Sequence, residues 1–189
     1  MFKKNLFIIS ITALVAVWVI TKVAKRDNVK LKPLSVVNEI DLNKYMGLWY
    51  EIAYIPAWFQ KNCAGGTTAE YSLNGDGTVK VVNTCYTADK QKKQAIGRAW
   101  VVDAKTRAKL KVSFAPGKSK LFAGDYWIID IGPEYEYAVV GHPKRNFGWI
   151  LSRKKELPED VLKGIISRIE AQGYDFSKFS FTNQKDYGK

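Results

Sequence analysis

The stretch Thr67-Thr68-Ala69-Glu70-Tyr71-Ser72-Leu73-Asn74-Gly75-Asp76-Gly77-Thr78-Val79-Lys80-Val81-Val82-Asn83-Thr84-Cys85-Tyr86 reads as two strands around a tight turn. Thr67–Leu73 and Thr78–Tyr86 are rich in β-branched and aromatic residues, which suit a pleated, half-buried surface. Between them, Asn-Gly and Asp-Gly supply residues that tolerate the positive φ a hairpin turn requires.

The same rhythm continues on both sides. Upstream, Gly47–Ile55 is a strand rich in Trp, Tyr and Ile. Downstream comes Gln94–Val102, and then a polar turn over Asp103–Arg107. Lys109–Phe114 alternates, with Leu110, Val112 and Phe114 on one face and Lys109, Lys111 and Ser113 on the other, the mark of a strand with one wet face. Ala115-Pro116-Gly117 ends it, and Gly124–Ile131, Tyr137–Gly141 and Phe147–Arg153 complete a set of eight. One helix follows. Pro158 suits its first turn, Glu159 and Asp160 complement the dipole there, and Gly173 is a natural stop. Val161, Leu162, Ile165, Ile166 and Ile169 form an apolar stripe for packing on the outside of a sheet. A short strand near Lys178–Thr182 can pair with an edge.

Eight sequential antiparallel strands remove their edges by closing on themselves. The expected fold is therefore all-β: an eight-stranded antiparallel up-and-down barrel with one C-terminal α-helix packed outside. A β-sandwich is the alternative, but steady hairpin order and a single late helix fit the barrel. Eight strands leave an interior that can hold one small ligand.

The 189 residues allow one domain, and 13% aromatic content agrees with β structure. The net charge is +12, and half of it, +6, lies in residues 1–32. No Lys/Arg-rich run is interleaved with aromatics, so no nucleic-acid face is expected. A basic surface also suits anionic lipid.

Lys3 and Lys4 precede an apolar run from Leu6 to Ile20, with Lys22 behind it. This is the layout of an export signal, somewhat short for a bilayer span of about 20 residues. No A-x-A cleavage pattern follows, which favours an uncleaved signal-anchor over a cleaved signal peptide for residues 1–21. Residues 22–37 read as a basic linker. In an exported chain, Cys63 and Cys85 suggest one disulfide, two buried thiols being the alternative. Closing that loop is worth about 3 kcal/mol. There is no CxxC and only one histidine, His142, so no metal site is expected.

At this point three motifs stand in order. Asn43-Lys44-Tyr45-Met46-Gly47-Leu48-Trp49-Tyr50-Glu51-Ile52-Ala53 carries G-x-W-[YF], Glu134-Tyr135-Glu136-Tyr137-Ala138-Val139-Val140 follows, and Trp149-Ile150-Leu151-Ser152-Arg153 closes the set. Together they resemble the signatures of the lipocalin family, and most the branch that joins bacterial lipocalins to plant temperature-induced lipocalins and apolipoprotein D. The resemblance covers about residues 38–185, leaving 186–189 as a tail. It implies that Gly47, Trp49 and Arg153 form a structural signature at the closed end, with the Arg153 guanidinium across the Trp49 indole. It also agrees with a Cys63–Cys85 bond. Several bacterial members carry a lipidated Cys; this chain lacks that Cys directly behind its apolar run, which argues against outer-membrane anchoring of that kind.

The function the resemblance implies is binding, storage or transport of a hydrophobic ligand such as a fatty acid or lysophospholipid. The protein would sit in the cell envelope, membrane-anchored with the barrel in the periplasm or outside, or be secreted after signal cleavage. Some members dimerise, so a homodimer is among the possible partners, beside the lipid and the membrane. Taking the cleaner apolar face of each strand, the expected ligand wall is Trp100, Val112, Phe114, Tyr126, Ile128, Val139 and Trp149, with Tyr126 or Arg98 meeting a carboxylate or phosphate head. Ile55-Pro56-Ala57-Trp58-Phe59 lies in the first loop, placed to gate the pocket or touch membrane. No G-x-S-x-G, phosphate loop or G-x-G-x-x-G is present, so no enzyme and no cofactor is expected. The alternatives are a lipocalin-fold enzyme and a haem or tetrapyrrole barrel, for which His142 is the only available imidazole.

Overall fold

Asn74–Thr78 closes the hairpin from which the fold was read. The Asn74 N–H donates to the Thr78 carbonyl and the Gly77 N–H to the Asn74 carbonyl, while Asp76 accepts from the Thr78 N–H and hydroxyl. Gly77, not Gly75, takes the positive φ of +77°, so the connection is a turn completed by a left-handed residue rather than a two-residue loop.

The computed structural model describes residues 32–115 and 120–187. The apolar segment 1–21 and linker residues 22–31 lie outside the described residues. Residues Lys32–Lys189 form a compact unit by themselves.

The strands are β1 (Gly47–Tyr54), β2 (Gly65–Leu73), β3 (Val79–Tyr86), β4 (Lys92–Val101), β5 (Lys109–Ser113), β6 (Gly124–Ile131), β7 (Tyr137–Gly141) and β8 (Gly148–Ser152). Each pairs antiparallel with the next, β8 pairs with β1 and β1 with β2, which closes the barrel. The closure is divided along β1. Gly47–Tyr50 pairs with β2, whereas Ala53 and Tyr54 pair with a ninth short strand, β9 (Ser180–Phe181). A register shift between Glu51 and Ala53 marks the change.

Two helices are α1 (Leu42–Tyr45) and α2 (Glu159–Ala171). No periodic pattern announces α1. It is a single turn held by the Asp41 carboxylate, which caps the N–H groups of Asn43 and Lys44, and it lays Tyr45 across one end of the barrel. The longer helix ends before Gly173, whose φ is +88°. Its buried Ile165 and Ile169 pack on the outer face of the sheet, in one cluster with Ile52, Ala53, Val139 and Ile150.

Two boundaries move. Lys32–Val37, read as the end of a linker, is packed: Leu34 is buried in the cluster beneath α2, the Val37 N–H donates to the Ile128 carbonyl, and Arg145 donates to the Lys32 carbonyl. At the other end Tyr187, read as tail, is attached, its ring 6.2 Å from Tyr86.

Candidate functional site

The inner face follows from the pairing. Ala99 stands opposite Val112, Leu110 opposite Tyr126, Ile128 opposite Val140, and Tyr71 opposite Val81. All belong to one cluster with Trp49. Within it lies an apolar cavity between side chains, lined by Tyr45, Tyr71, Val81, Val112, Tyr126 and Ile128 among others. It narrows to room for little more than a water-sized molecule.

Three phenols meet at this cavity. The Tyr126 hydroxyl is 2.8 Å from both the Tyr45 and the Tyr71 hydroxyl. Three O–H groups and two bonds among them leave one proton to spare. Burial is the main force that pushes these phenols up, Tyr71 to about 12 and the other two well above their usual value, so all three stay neutral donors at physiological pH.

The closed end is sealed beneath them. Gly47 adopts φ +94°, which lets the chain turn from α1 into β1 with the Trp49 indole pointing inward, and Trp49 donates to the Tyr45 carbonyl. The Arg153 guanidinium lies 3.7 Å from the centre of the Trp49 ring. It donates to the carbonyls of Lys44, Met46, Leu48 and Tyr135.

The open end is covered by the connection over residues 55–64. Phe59 packs on Phe147 and Trp149, at 5.8 and 6.4 Å between ring centres. Gln60 accepts from the Trp149 indole N–H and donates to the Glu51 carboxylate. Thr182 donates to the other Glu51 oxygen, where β9 has taken the place of β2. Glu51 is buried, and burial raises its carboxyl against the opposing hydrogen bonds from Thr182, Gln60 and Thr67. The Cys63–Cys85 disulfide ties this connection to β3. Asn83, on the same face of β3 as Val81, leaves its buried Oδ1 without a partner among the described residues.

Of the expected wall, Val112, Tyr126 and Ile128 line the cavity, and Trp149 stands on the inner face nearer the mouth. Phe114 is at the inner rim, its ring against Gly97, 42% exposed. Two residues are corrected. Val139 points outward and is buried beneath α2. Trp100 also points outward, because it pairs with Lys111 while its neighbour Ala99 takes the inner position; Lys120 sits 5.5 Å above its ring. Arg98 shares that outer face and is bonded to Asp76, so it meets no ligand head inside the barrel. His142 is at the rim, its Nδ1 accepting from the Lys144 N–H and its Nε2 3.9 Å from Asp125. Among the described residues no group of three or more His, Cys, Asp or Glu could hold a metal ion, and no helix is long and apolar enough to cross a membrane.

The reading of the sequence missed Tyr45 and Tyr71, which complete the phenol cluster, and the Glu51–Gln60–Trp149 contacts. Tyr71 was open to discovery, since it shares the parity of Ala69 in an alternating strand. Tyr45 was not, because its position depends on a single capped turn.

Comparison with known proteins places these features in a group. Residues 40–184 match the model of the lipocalin-like domain. Temperature-induced lipocalin-1 of Arabidopsis thaliana is 39% identical over 159 residues, spanning 82% of this chain and 85% of its own. Outer membrane lipoprotein Blc of Escherichia coli (strain K12) is 38% identical over 152 residues, 80% of this chain and 83% of its own. Insecticyanin from the tobacco hornworm Manduca sexta superposes with a TM-score of 0.67 at 22% identity, over 82% of this chain and 87% of that one, a likeness of fold.

Proposed function

As this chain belongs to the lipocalin family, we propose that it binds and carries a membrane-derived lipid, a fatty acid or lysophospholipid, within the cell envelope. The observation that carries the reading is the apolar interior lined by Val112, Tyr126 and Ile128 beneath a mouth closed by Phe59 and Gln60. An acyl chain enters as the 55–64 connection lifts, and it displaces side chains from the narrow cavity. The envelope location rests on the basic-apolar start of the chain, the disulfide, and the outer-membrane relative. No chemistry is assigned.

The ligand lies with its chain inward. Among the described residues no Lys or Arg lines the cavity, and an ionised head buried there would lack a counter-charge from them. The head therefore stays at the mouth, where Asn83 Oδ1 can accept from a ligand hydroxyl. Tyr126 thus faces the chain's end rather than the head.

The test is a titration of the barrel with a long-chain fatty acid and a lysophospholipid, read by Trp149 fluorescence with Trp149→Phe as the blank. A saturable change at about micromolar ligand is expected. No change with a folded barrel would overturn the reading. Tyr126→Phe should alter affinity by less than about threefold, whereas a loss above about tenfold would mean that the head is bound at the phenols.

A further inference from the structure

At the mouth lie residues 55–64, 87–91, 120–123 and 142–147, which connect or flank the strands at that end. They share an end because strands alternate in direction around the barrel. Apolar side chains stand out from two of them: Trp58 is 79% exposed, and Leu121 and Phe122 are 84% and 73% exposed. Isolated exposed hydrophobes are ordinary, but aromatic tips gathered at one end are not.

The charge of that end is one-sided. These segments carry Lys61, Lys90, Lys120, Lys144 and Arg145 against a single acid, Asp89. Lys92 and Lys93 add to it at the start of β4, while Asp125 at the start of β6 is paired with Lys111. Of these, Lys61, Lys90, Lys92, Lys93 and Lys144 are exposed. Arg145 is committed to backbone carbonyls, and Lys120 leans over Trp100. The closed end is balanced, its segments 38–46, 74–78, 102–108, 132–136 and 153–157 carrying seven acids against six basic residues. The net charge of the barrel is thus directed toward its mouth.

We infer that the mouth is a docking surface for an anionic phospholipid bilayer, with Trp58 and Phe122 entering the headgroup region while the rim lysines rest on its charge. Trp favours this depth because its ring is apolar and its N–H is polar. Lysines near the surface add attraction that salt screens. Docked in this way, the mouth opens directly onto lipid. The surface does not require the cavity to hold lipid, so the inference goes beyond the proposed function.

The test uses a chain from Lys32, because both core clusters lie wholly within residues 34–179 and that compact unit is kept. Flotation with phosphatidylcholine vesicles is compared with vesicles carrying 30% phosphatidylglycerol. The inference expects binding to the anionic vesicles, about tenfold weaker binding to neutral ones, and a similar loss in 0.5 M salt. Trp58→Ser with Phe122→Ser, and separately Lys61→Glu with Lys90→Glu, should each reduce binding to anionic vesicles about tenfold with an unchanged near-ultraviolet spectrum. Equal binding to both vesicle types, no binding, or unchanged binding by both variants would overturn it. So would concentration-dependent self-association abolished by Trp58→Ser with Phe122→Ser in the absence of vesicle binding, which would make the face a contact between copies. Fatty-acid titration of the same variants separates this outcome from a failure of the cavity reading.

Discussion

Removing the Arg153 side chain should cost the barrel about 3–4 kcal/mol. The guanidinium bridges parts of the chain that are far apart in sequence: the α1–β1 corner through Lys44, Met46 and Leu48, and the β6–β7 turn through Tyr135. Its contacts with Lys44 and Leu48 are exposed, and water replaces them at little cost. Those with Met46 and Tyr135 are partly buried, and each is worth about 1.5 kcal/mol, the low end for a charged donor. The face of Trp49, which is wholly buried, adds about 1 kcal/mol as a cation–π contact. For a domain of this size the sum lowers the thermal midpoint by about 10 °C. Urea unfolding of Arg153→Ala, followed by circular dichroism, measures it. Arg153→Lys should recover about half, because an ammonium keeps the charge but not the planar fork that reaches several carbonyls at once. If Arg153→Ala unfolds within about 1 kcal/mol of the parent at an unchanged denaturant slope, the guanidinium is not what fastens the closed end.

Three further outcomes are expected. Glu51→Gln tests the mouth: burial raises the Glu51 carboxyl above its ordinary value of 4.5, so the folded state holds that proton more tightly than the unfolded one. The cost of ionising it is absent below the unfolded value and grows as pH rises through the folded value. The stability of Glu51→Gln relative to the parent should therefore climb from pH 4 to pH 7 in urea titrations, and a pH-independent difference would contradict it. Replacing Cys63 and Cys85 with Ser should lower the unfolding free energy by about 3 kcal/mol in the same assay. Trp100→Ala should leave lipid affinity within about twofold, whereas Val112→Trp, which fills the cavity, should weaken it at least about tenfold by fluorescence titration.

The architecture was legible because its signals are local. Turn chemistry at Asn74–Gly77, alternation at Lys109–Phe114 and the stripe on α2 each report on a few consecutive residues, and their order permits few topologies. The inner wall was legible only where one face of a strand is wet. In β5 the lysines mark the outside, and Val112 faces the cavity. In β7 every residue from Tyr137 to Gly141 is buried, because α2 covers the outer face, so alternation vanishes and Val139 cannot be told from Val140 by hydropathy. In β4 size misled. Trp100 is the larger apolar residue, but the barrel needs small inner residues beside Phe114 and Val112, and Gly97 and Ala99 supply them. The Glu51–Gln60–Trp149 contacts join three segments and a register shift, and no local pattern encodes them.

The two ends of the barrel are therefore built for different tasks. The closed end gathers contacts that stabilise without moving: a buried indole, a guanidinium spanning several carbonyls, and a capped turn laid across the base. The mouth is built from contacts that oppose one another. A carboxylate is buried against its preference for water, and it is held by hydrogen bonds from Gln60 and Thr182. Gln60 belongs to the same connection that carries the exposed Trp58, and it also holds the Trp149 indole. Drawing Trp58 outward into a bilayer would pull on Gln60, release Trp149, and let water reach Glu51, which relieves the cost of its burial. Were the mouth to dock on a bilayer as inferred above, opening would be favoured both by the apolar tip that enters lipid and by the carboxylate that regains solvent.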